Sequence, residues 1–126
     1  MRDDRRVRTT YAHDAVLSLD PGGDERAPGA AVTLELCGSW EHDGACPVAP
    51  HHTATHREDG ELGVRVLFAV AADRERPVRD RVVAALSGGH LVGPDGATTR
   101  WRLVRHGAGT LRPDEREHAA RLAAHP

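Results

Sequence analysis

Thiol and imidazole side chains are concentrated in one segment of the chain, residues 37–56. Both cysteines and four of the nine histidines lie there, whereas at the chain's average frequency the 15 residues 42–56 would hold about one histidine. Thiolate and imidazole are the ligands that Zn²⁺ takes in tetrahedral sites, so the sequence predicts a zinc site. Its candidate ligands are Cys37, His42, Cys46, His51, His52 and His56.

The residues between these ligands favour their convergence. Gly38, Gly44, Pro47 and Pro50 are typical of chain reversals, so we expect both cysteines and two or more of the four histidines to bind one ion. The spacing does not match the C-x₂-C pairs of zinc ribbons and zinc fingers. The leading hypothesis is therefore a small zinc-binding protein without enzymatic activity, whose folded state is stabilised by the ion.

The same segment leaves an enzymatic alternative open. Three protein ligands and one open coordination position would make the ion catalytic, as in a metal-dependent hydrolase. The carboxylates available as the base are Glu41, Asp43, Glu58 and Asp59. Cys46 would instead be a nucleophile if one of the nearby histidines activated it, although no residue is obviously placed to orient that histidine.

Three further alternatives are not enzymatic: a disulfide between the two cysteines, a haem site at Cys46 and a protein-interaction module without metal. A Cys37–Cys46 disulfide is disfavoured because the chain has no export signal and cytosolic thiols stay reduced. The dipeptide Cys46-Pro47 is of a type that binds haem iron through its thiolate. The third alternative is a protein-interaction module that binds no metal.

The other five histidines are scattered, and we interpret them as structural or solvated residues. They are His13, His90, His106, His118 and His125. Among them His106 is the best candidate for a site because it ends a predicted strand. The sequence contains no Walker loop, Rossmann glycine fingerprint, G-x-S-x-G elbow or H-E-x-x-H helix.

Composition and charge narrow the class of protein. Arg supplies all 17 basic residues against 19 acidic ones, which gives a net charge of -2 and argues against a general nucleic-acid binder. Lys, Asn, Gln and Ile are absent, which indicates a GC-rich, bacterial genome. No apolar run is long enough to cross a bilayer, and the N-terminus has no secretory h-region. We expect a cytoplasmic protein with no membrane partner.

The supply of large apolar residues predicts a thin core. Leu, Val and Phe together make up 24 of the 126 residues. Disorder is not expected, because the net charge is low. A core of this kind would gain stability from a metal, a disulfide or a second copy of the chain, so a homo-oligomer is one expected assembly.

Hydrophobic periodicity predicts an α+β fold. Alternation typical of strands covers residues 13–19, 31–40, 61–71 and 98–106, and helical spacing covers residues 73–86 and 113–124. We predict a single domain over residues 1–126 with a four-stranded, largely antiparallel sheet and two helices in the order β-β-β-α-β-α. Residues 1–10 would form a flexible N-terminal extension, and residues 41–60 a long loop between the second and third strands.

The position of Cys37 follows from the predicted strand 31–40. Val32, Leu34 and Leu36 define its buried face, so Cys37 would project to the opposite face at the base of the loop. A ligand held by the sheet would bind metal more firmly than one on a mobile segment. We therefore predict that Cys37→Ser lowers metal affinity at least tenfold, about 1.4 kcal/mol.

Overall fold

A computed structural model of the chain describes residues 7–37 and 49–124. These residues form a five-stranded antiparallel sheet and three helices. The elements in chain order are β1 (Thr9–Leu19), α1 (Ala27–Cys37), β2 (His51–Glu58), β3 (Glu61–Val70), α2 (Glu75–Ser87), β4 (His90–Val92), β5 (Thr98–Gly109) and α3 (Arg116–Ala123). A single 3₁₀ turn precedes each of α2 and α3.

The strand order in the sheet is β2-β3-β1-β5-β4, and every neighbouring pair is antiparallel. Helix α1 connects β1 to β2, with β3 lying between those two strands, and α2 leads from β3 through β4 to β5, with β1 between β3 and β5. The fold is thus two interlocked, split βαβ units. The central strand β1 contributes to both faces of the sheet.

The core lies between the sheet and the helices α1 and α2, which also pack on each other. Strand alternation directs Leu17 of β1 and Phe68 of β3 to this face, where both are fully buried. Helix α2 adds Val78, Val82 and Leu86 at four-residue spacing. The opposite, outer face is covered at one end by α3.

Helix α1 corrects the predicted strand over 31–40. Its buried residues Val32 and Leu36 are four apart, which suits a helix as well as an alternating strand. Pro28 lies in the first helical turn, where its missing N–H costs nothing. Gly29 packs so closely on β2 that an added Cβ would lie 2.8 Å from Thr53 Oγ1. The Pro-Gly pair therefore begins a helix, although its sequence is typical of a turn.

The predicted loop 41–60 is also corrected, because residues 51–58 form the edge strand β2. Asp59 and Gly60 both have positive φ, 52° and 79°, and connect β2 to β3 as a two-residue hairpin turn. The pairing runs from Glu58–Glu61 to His51–Phe68. The segment 38–48, with His42 and Cys46, lies outside the described residues.

The general α+β class is confirmed, whereas the arrangement of four strands and two helices is wrong. The strands predicted over 13–19, 61–71 and 98–106 and the two helices are present with shifted ends. Strand β1 begins at Thr9, within the predicted N-terminal extension, and Thr10 is buried there. Within the described ranges, each helix falls short of the length and apolar content that a bilayer crossing requires.

Candidate functional site: the His13–His106 groove

A groove of about 520 Å³ opens between the first half of α2 and the last third of β5. This volume lies within the range of small-molecule binding sites. Two histidines from adjacent strands, His13 and His106, line it together with a stripe of polar residues from α2.

His13 reaches the groove because of its position in β1. It shares strand parity with Ala15 and Leu17 and therefore faces the helices. Its side chain is only 4% exposed, so an ionised imidazole would lose most of its hydration there. Burial lowers the pKa of His13 to about 4, and the charges of Arg79 and His106 act in the same direction.

His106 reaches the groove because β5 contains a bulge. Opposite Val16 and Leu17 of β1, the partners in β5 are Arg105 and Leu103, so Val104 has no partner. A bulge of this kind reverses which residues face each side of the sheet. Leu103 faces the core before the bulge, and His106 faces the same side after it.

A directed chain of hydrogen bonds connects α2 to both histidines. Arg79 Nη1 lies 2.9 Å from His13 Nδ1, and His13 Nε2 lies 3.1 Å from His106 Nδ1. A guanidinium can only donate, so His13 Nδ1 accepts and its proton is on Nε2. His13 Nε2 therefore donates to His106 Nδ1, and a neutral His106 carries its proton on Nε2.

Arg79 is itself held at several points. It donates from Nη1 to the carbonyl oxygen of Ala12 at 2.7 Å and from Nε to Glu75 Oε2 at 2.8 Å. Its guanidinium carbon lies 5.3 Å from the ring centroid of Phe68 and 5.7 Å from that of Tyr11. The direction of the hydrogen-bond chain is therefore fixed by a partly buried, immobilised cation.

The α2 wall of the groove has helical periodicity. Arg76, Arg79, Asp80 and Val83 lie at i, i+3, i+4 and i+7, which places them on one face of the helix beside the apolar stripe. In the described part of the chain the side chains of Arg76 and Asp80 take part in no hydrogen bond or ion pair. As far as the described residues extend, the groove thus presents an unpaired cation, an unpaired carboxylate and a directed imidazole.

Comparisons with protein-family models, with curated proteins and with solved structures found no match.

The predicted zinc ligands of β2 lie on different faces of the sheet. His51 faces α1, where its Nε2 accepts from Thr33 Oγ1 at 3.1 Å and its Nδ1 donates to the carbonyl of Ala49 at 3.2 Å. His52 and His56 face the outer side, four residues apart on an extended strand, or about 13 Å. The structure therefore does not bring these three histidines together.

His52 instead contacts the terminal helix. Its ring meets that of His118 edge to face, with centroids 4.6 Å apart. Burial and the charge of His118 both lower the pKa of His52. The contact joins β2 to α3 and gives His52 a structural role on the outer face.

The remaining predicted ligands lie at or beyond the end of α1. Cys37 is the last residue of that helix, so the strand parity from which its orientation was predicted does not apply. His42 and Cys46 lie outside the described residues. Among the residues that are described, no three His, Cys, Asp or Glu side chains are grouped so as to hold a metal ion.

A second groove, of about 590 Å³, lies on the outer face between β1, β2 and β3. Its most buried charged group, Arg65, is fully engaged. It donates to Asp14 Oδ1 at 2.8 Å, to Glu115 Oε1 at 2.7 Å and to the carbonyl of Thr110 at 2.6 Å. This cluster fixes the segment before α3 to the sheet, so we assign it a structural role.

His13 is not among the predicted site residues, and His106 is only the best candidate among the scattered histidines. The parity of residues 13–19 places His13 on the same face as Ala15 and Leu17, which was a usable signal for a buried histidine. The same reasoning applied to β5 would place His106 opposite Trp101 and Leu103. Only the bulge, which no motif marks, brings the two histidines together.

Proposed function

We propose that the protein binds a small polar molecule in the His13–His106 groove. The observation that carries the proposal is the hydrogen-bond chain from Arg79 through His13 to His106. It leaves His106 Nε2–H as a donor of fixed direction, so the ligand supplies a carbonyl, carboxylate or phosphoryl oxygen as the acceptor.

The chain supports binding because the donor is organised before the ligand arrives. A buried neutral histidine and an anchored arginine hold the His106 ring, so little side-chain freedom remains to be lost on binding. A neutral imidazole held as a donor polarises an oxygen without adding a full charge to the site. The groove would then favour a ligand whose oxygen accepts a hydrogen bond from His106 over an anion that is attracted by charge alone.

The same chain argues for binding and against general-base catalysis by His106. Its Nδ1 lone pair accepts from His13, and its Nε2 carries the proton. Neither nitrogen is therefore available to remove a proton from a substrate while Arg79 remains in place.

The proposal is tested by NMR titration of the ¹⁵N-labelled protein with N-methylacetamide, a neutral carbonyl compound, and with acetate. We expect the largest shift changes at His106, Ala108 and Arg79, and their loss in His106→Ala. His90→Ala is the matched control, because His90 is exposed and its side chain bonds, within the described residues, to the carbonyl of Gly88 alone. Shift changes that map outside the groove, or that persist in His106→Ala, would contradict the proposal.

The zinc site in segment 37–56 is a second candidate function, and the start of β2 favours it. His51 Nε2 accepts from Thr33, one helical turn before Cys37, so the residues flanking segment 38–48 belong to elements in contact. The positions in β2 support a ligand set of Cys37, His42, Cys46 and His51, since of the three β2 histidines only His51 faces α1; zinc at its Nε2 would replace the hydrogen bond from Thr33. Elemental analysis of untagged protein tests this: we expect about one equivalent of zinc, and less than a tenth of an equivalent, with no uptake on titration, would refute it.

A further inference from the structure

We propose that the ligand of the His13–His106 groove is a free α-amino acid with a small aliphatic side chain. This inference rests on the proposed binding function and names its ligand class. It is based on two groove residues, Arg76 and Asp80, whose charges have no partner in the described part of the chain, together with the fixed donor on His106.

The charged side chains that line the groove include one ion pair and two side chains that have no partner among the described residues. Arg79 and Glu75 form an ion pair at 2.8 Å and cancel each other. Arg76 and Asp80 are both exposed on the α2 wall, and neither forms an ion pair among the described residues. Asp73, in the turn before α2, also lines the groove, but it is not one of the unpaired charges. Among the described residues, the two unpaired charges, Arg76 and Asp80, therefore have opposite signs, which matches a zwitterion better than a simple anion or cation.

The spacing of these two charges also fits a compact zwitterion. Arg76 and Asp80 are one helical turn apart, with Cβ atoms separated by about 6 Å. An arginine that precedes an acidic residue by four positions is the less favourable order for a helical ion pair. A ligand carboxylate between Arg76 and His106 Nε2, with its ammonium toward Asp80, would pair both charges that the helix leaves open.

The apolar part of the lining sets the expected side chain. Ala72, Val83 and Ala108 contribute short aliphatic surfaces beside these charges. Of the aromatic rings in the described ranges, only the two imidazoles line the groove. A branched aliphatic side chain of the size of leucine would cover these surfaces and gain the free energy of apolar burial.

Three probes that share the leucine side chain and differ in charge test the inference by isothermal titration calorimetry. Leucine carries both charges, N-acetylleucine only the carboxylate and leucinamide only the ammonium. We expect leucine to bind at least tenfold more tightly than either derivative, because only leucine pairs with both Arg76 and Asp80. Affinity of either derivative within threefold of that of leucine would overturn the assignment.

Two variants show which residue recognises which charge. Arg76→Gln should reduce the affinity for leucine to that for leucinamide and leave leucinamide unaffected, whereas Asp80→Asn should reduce it to that for N-acetylleucine. Arg81→Gln is the matched control, since Arg81 is an exposed arginine of α2 that is not among the groove residues. Equal losses for leucine and leucinamide in Arg76→Gln would refute the assigned contacts.

The tests also separate this inference from the function on which it rests. If the groove residues respond to N-methylacetamide but leucine does not bind, the amino-acid assignment is wrong and the binding function stands. If neither compound perturbs the groove, the binding function itself fails.

Discussion

The buried, neutral state of His13 predicts that the protein loses stability as the pH falls from 7 to 5. In the folded chain, burial lowers the pKa of His13 to about 4, from an ordinary value of 6.5. Between these two values the unfolded state binds more protons than the folded state. Stability therefore rises with pH, and this contribution is complete above pH 6.5 and is lost progressively toward pH 4.

The size of the effect follows from the two pKa values. The gap between 6.5 and about 4 corresponds to about 3 kcal/mol when His13 is fully protonated in both states. Integrated between pH 7 and pH 5, the same linkage gives a loss of about 2 kcal/mol. Because the side chain is only 4% exposed, solvent screening leaves most of this value in place.

Urea unfolding at pH 7, 6 and 5 measures the effect, with His13→Gln compared to the parent protein. The variant keeps a polar side chain but cannot titrate, so we expect its loss of stability between pH 7 and 5 to be smaller by about 2 kcal/mol. His90→Gln, on an exposed histidine, should behave as the parent does. The change with pH decides the test, since His13→Gln also lowers stability at every pH. Equal pH dependence in parent and His13→Gln would refute the neutral, buried state of His13.

Two further predictions concern the outer face. Glu115→Gln should lower the free energy of unfolding by about 2 kcal/mol at pH 7, because hydrogen bonds from Arg65 of β3 lower the pKa of Glu115 to about 2. The difference between variant and parent should disappear as the pH falls from 4.5 toward 2. The control Glu117→Gln, in an exposed ion pair, should lower the free energy of unfolding by less than about 0.5 kcal/mol. An effect of Glu115→Gln no larger than the control would contradict this. Gly109→Ala should destabilise the folded protein by at least about 1 kcal/mol, because a Cβ at residue 109 would overlap Asp14 Oδ2. A Cβ at residue 107, in the control Gly107→Ala, would come within 4 Å of no neighbouring atom in the described part of the chain. Equal unfolding midpoints in urea for these two variants would show the close approach to be unimportant.

The elements that the sequence predicts well are those with an unambiguous period. Helix α2 buries Val78, Val82 and Leu86 at four-residue spacing, whereas an alternating strand would also place the charged Asp80 on that buried face. Strand β3 alternates over its whole length and is buried on both faces near its end. In these segments local pattern and tertiary packing favour the same structure.

The elements predicted wrongly are those where one pattern fits two structures. In α1, Val32 and Leu36 fit both a strand and a helix, and the preceding Pro28-Gly29 favoured a turn. The choice was decided by packing, because Gly29 allows close contact with β2. For β2 a local signal did exist: Asp59-Gly60 is typical of a type I′ hairpin turn, and it implied a strand on each side.

The candidate site depends on a feature that the sequence does not mark. Alternation alone predicts the orientation of His13, but it places His106 on the wrong face of β5. The register shift between Val16 and Leu17 reverses that orientation. Bulges commonly re-aim side chains at functional sites, and here the bulge is what allows the hydrogen bond between the two imidazoles.

The two partly buried polar clusters on β1 also help to define the register of that strand. Adjacent residues of β1 point to opposite faces, where His13 bonds to Arg79 of α2 and Asp14 bonds to Arg65 of β3. A shift of β1 by one residue would exchange these faces and break both contacts. The lost hydrogen bonds lower the stability of the shifted pairing, so the two clusters disfavour that register. The cluster that supplies the candidate binding site therefore also helps to specify the fold, and we expect substitutions at Arg79 to affect ligand affinity and stability together.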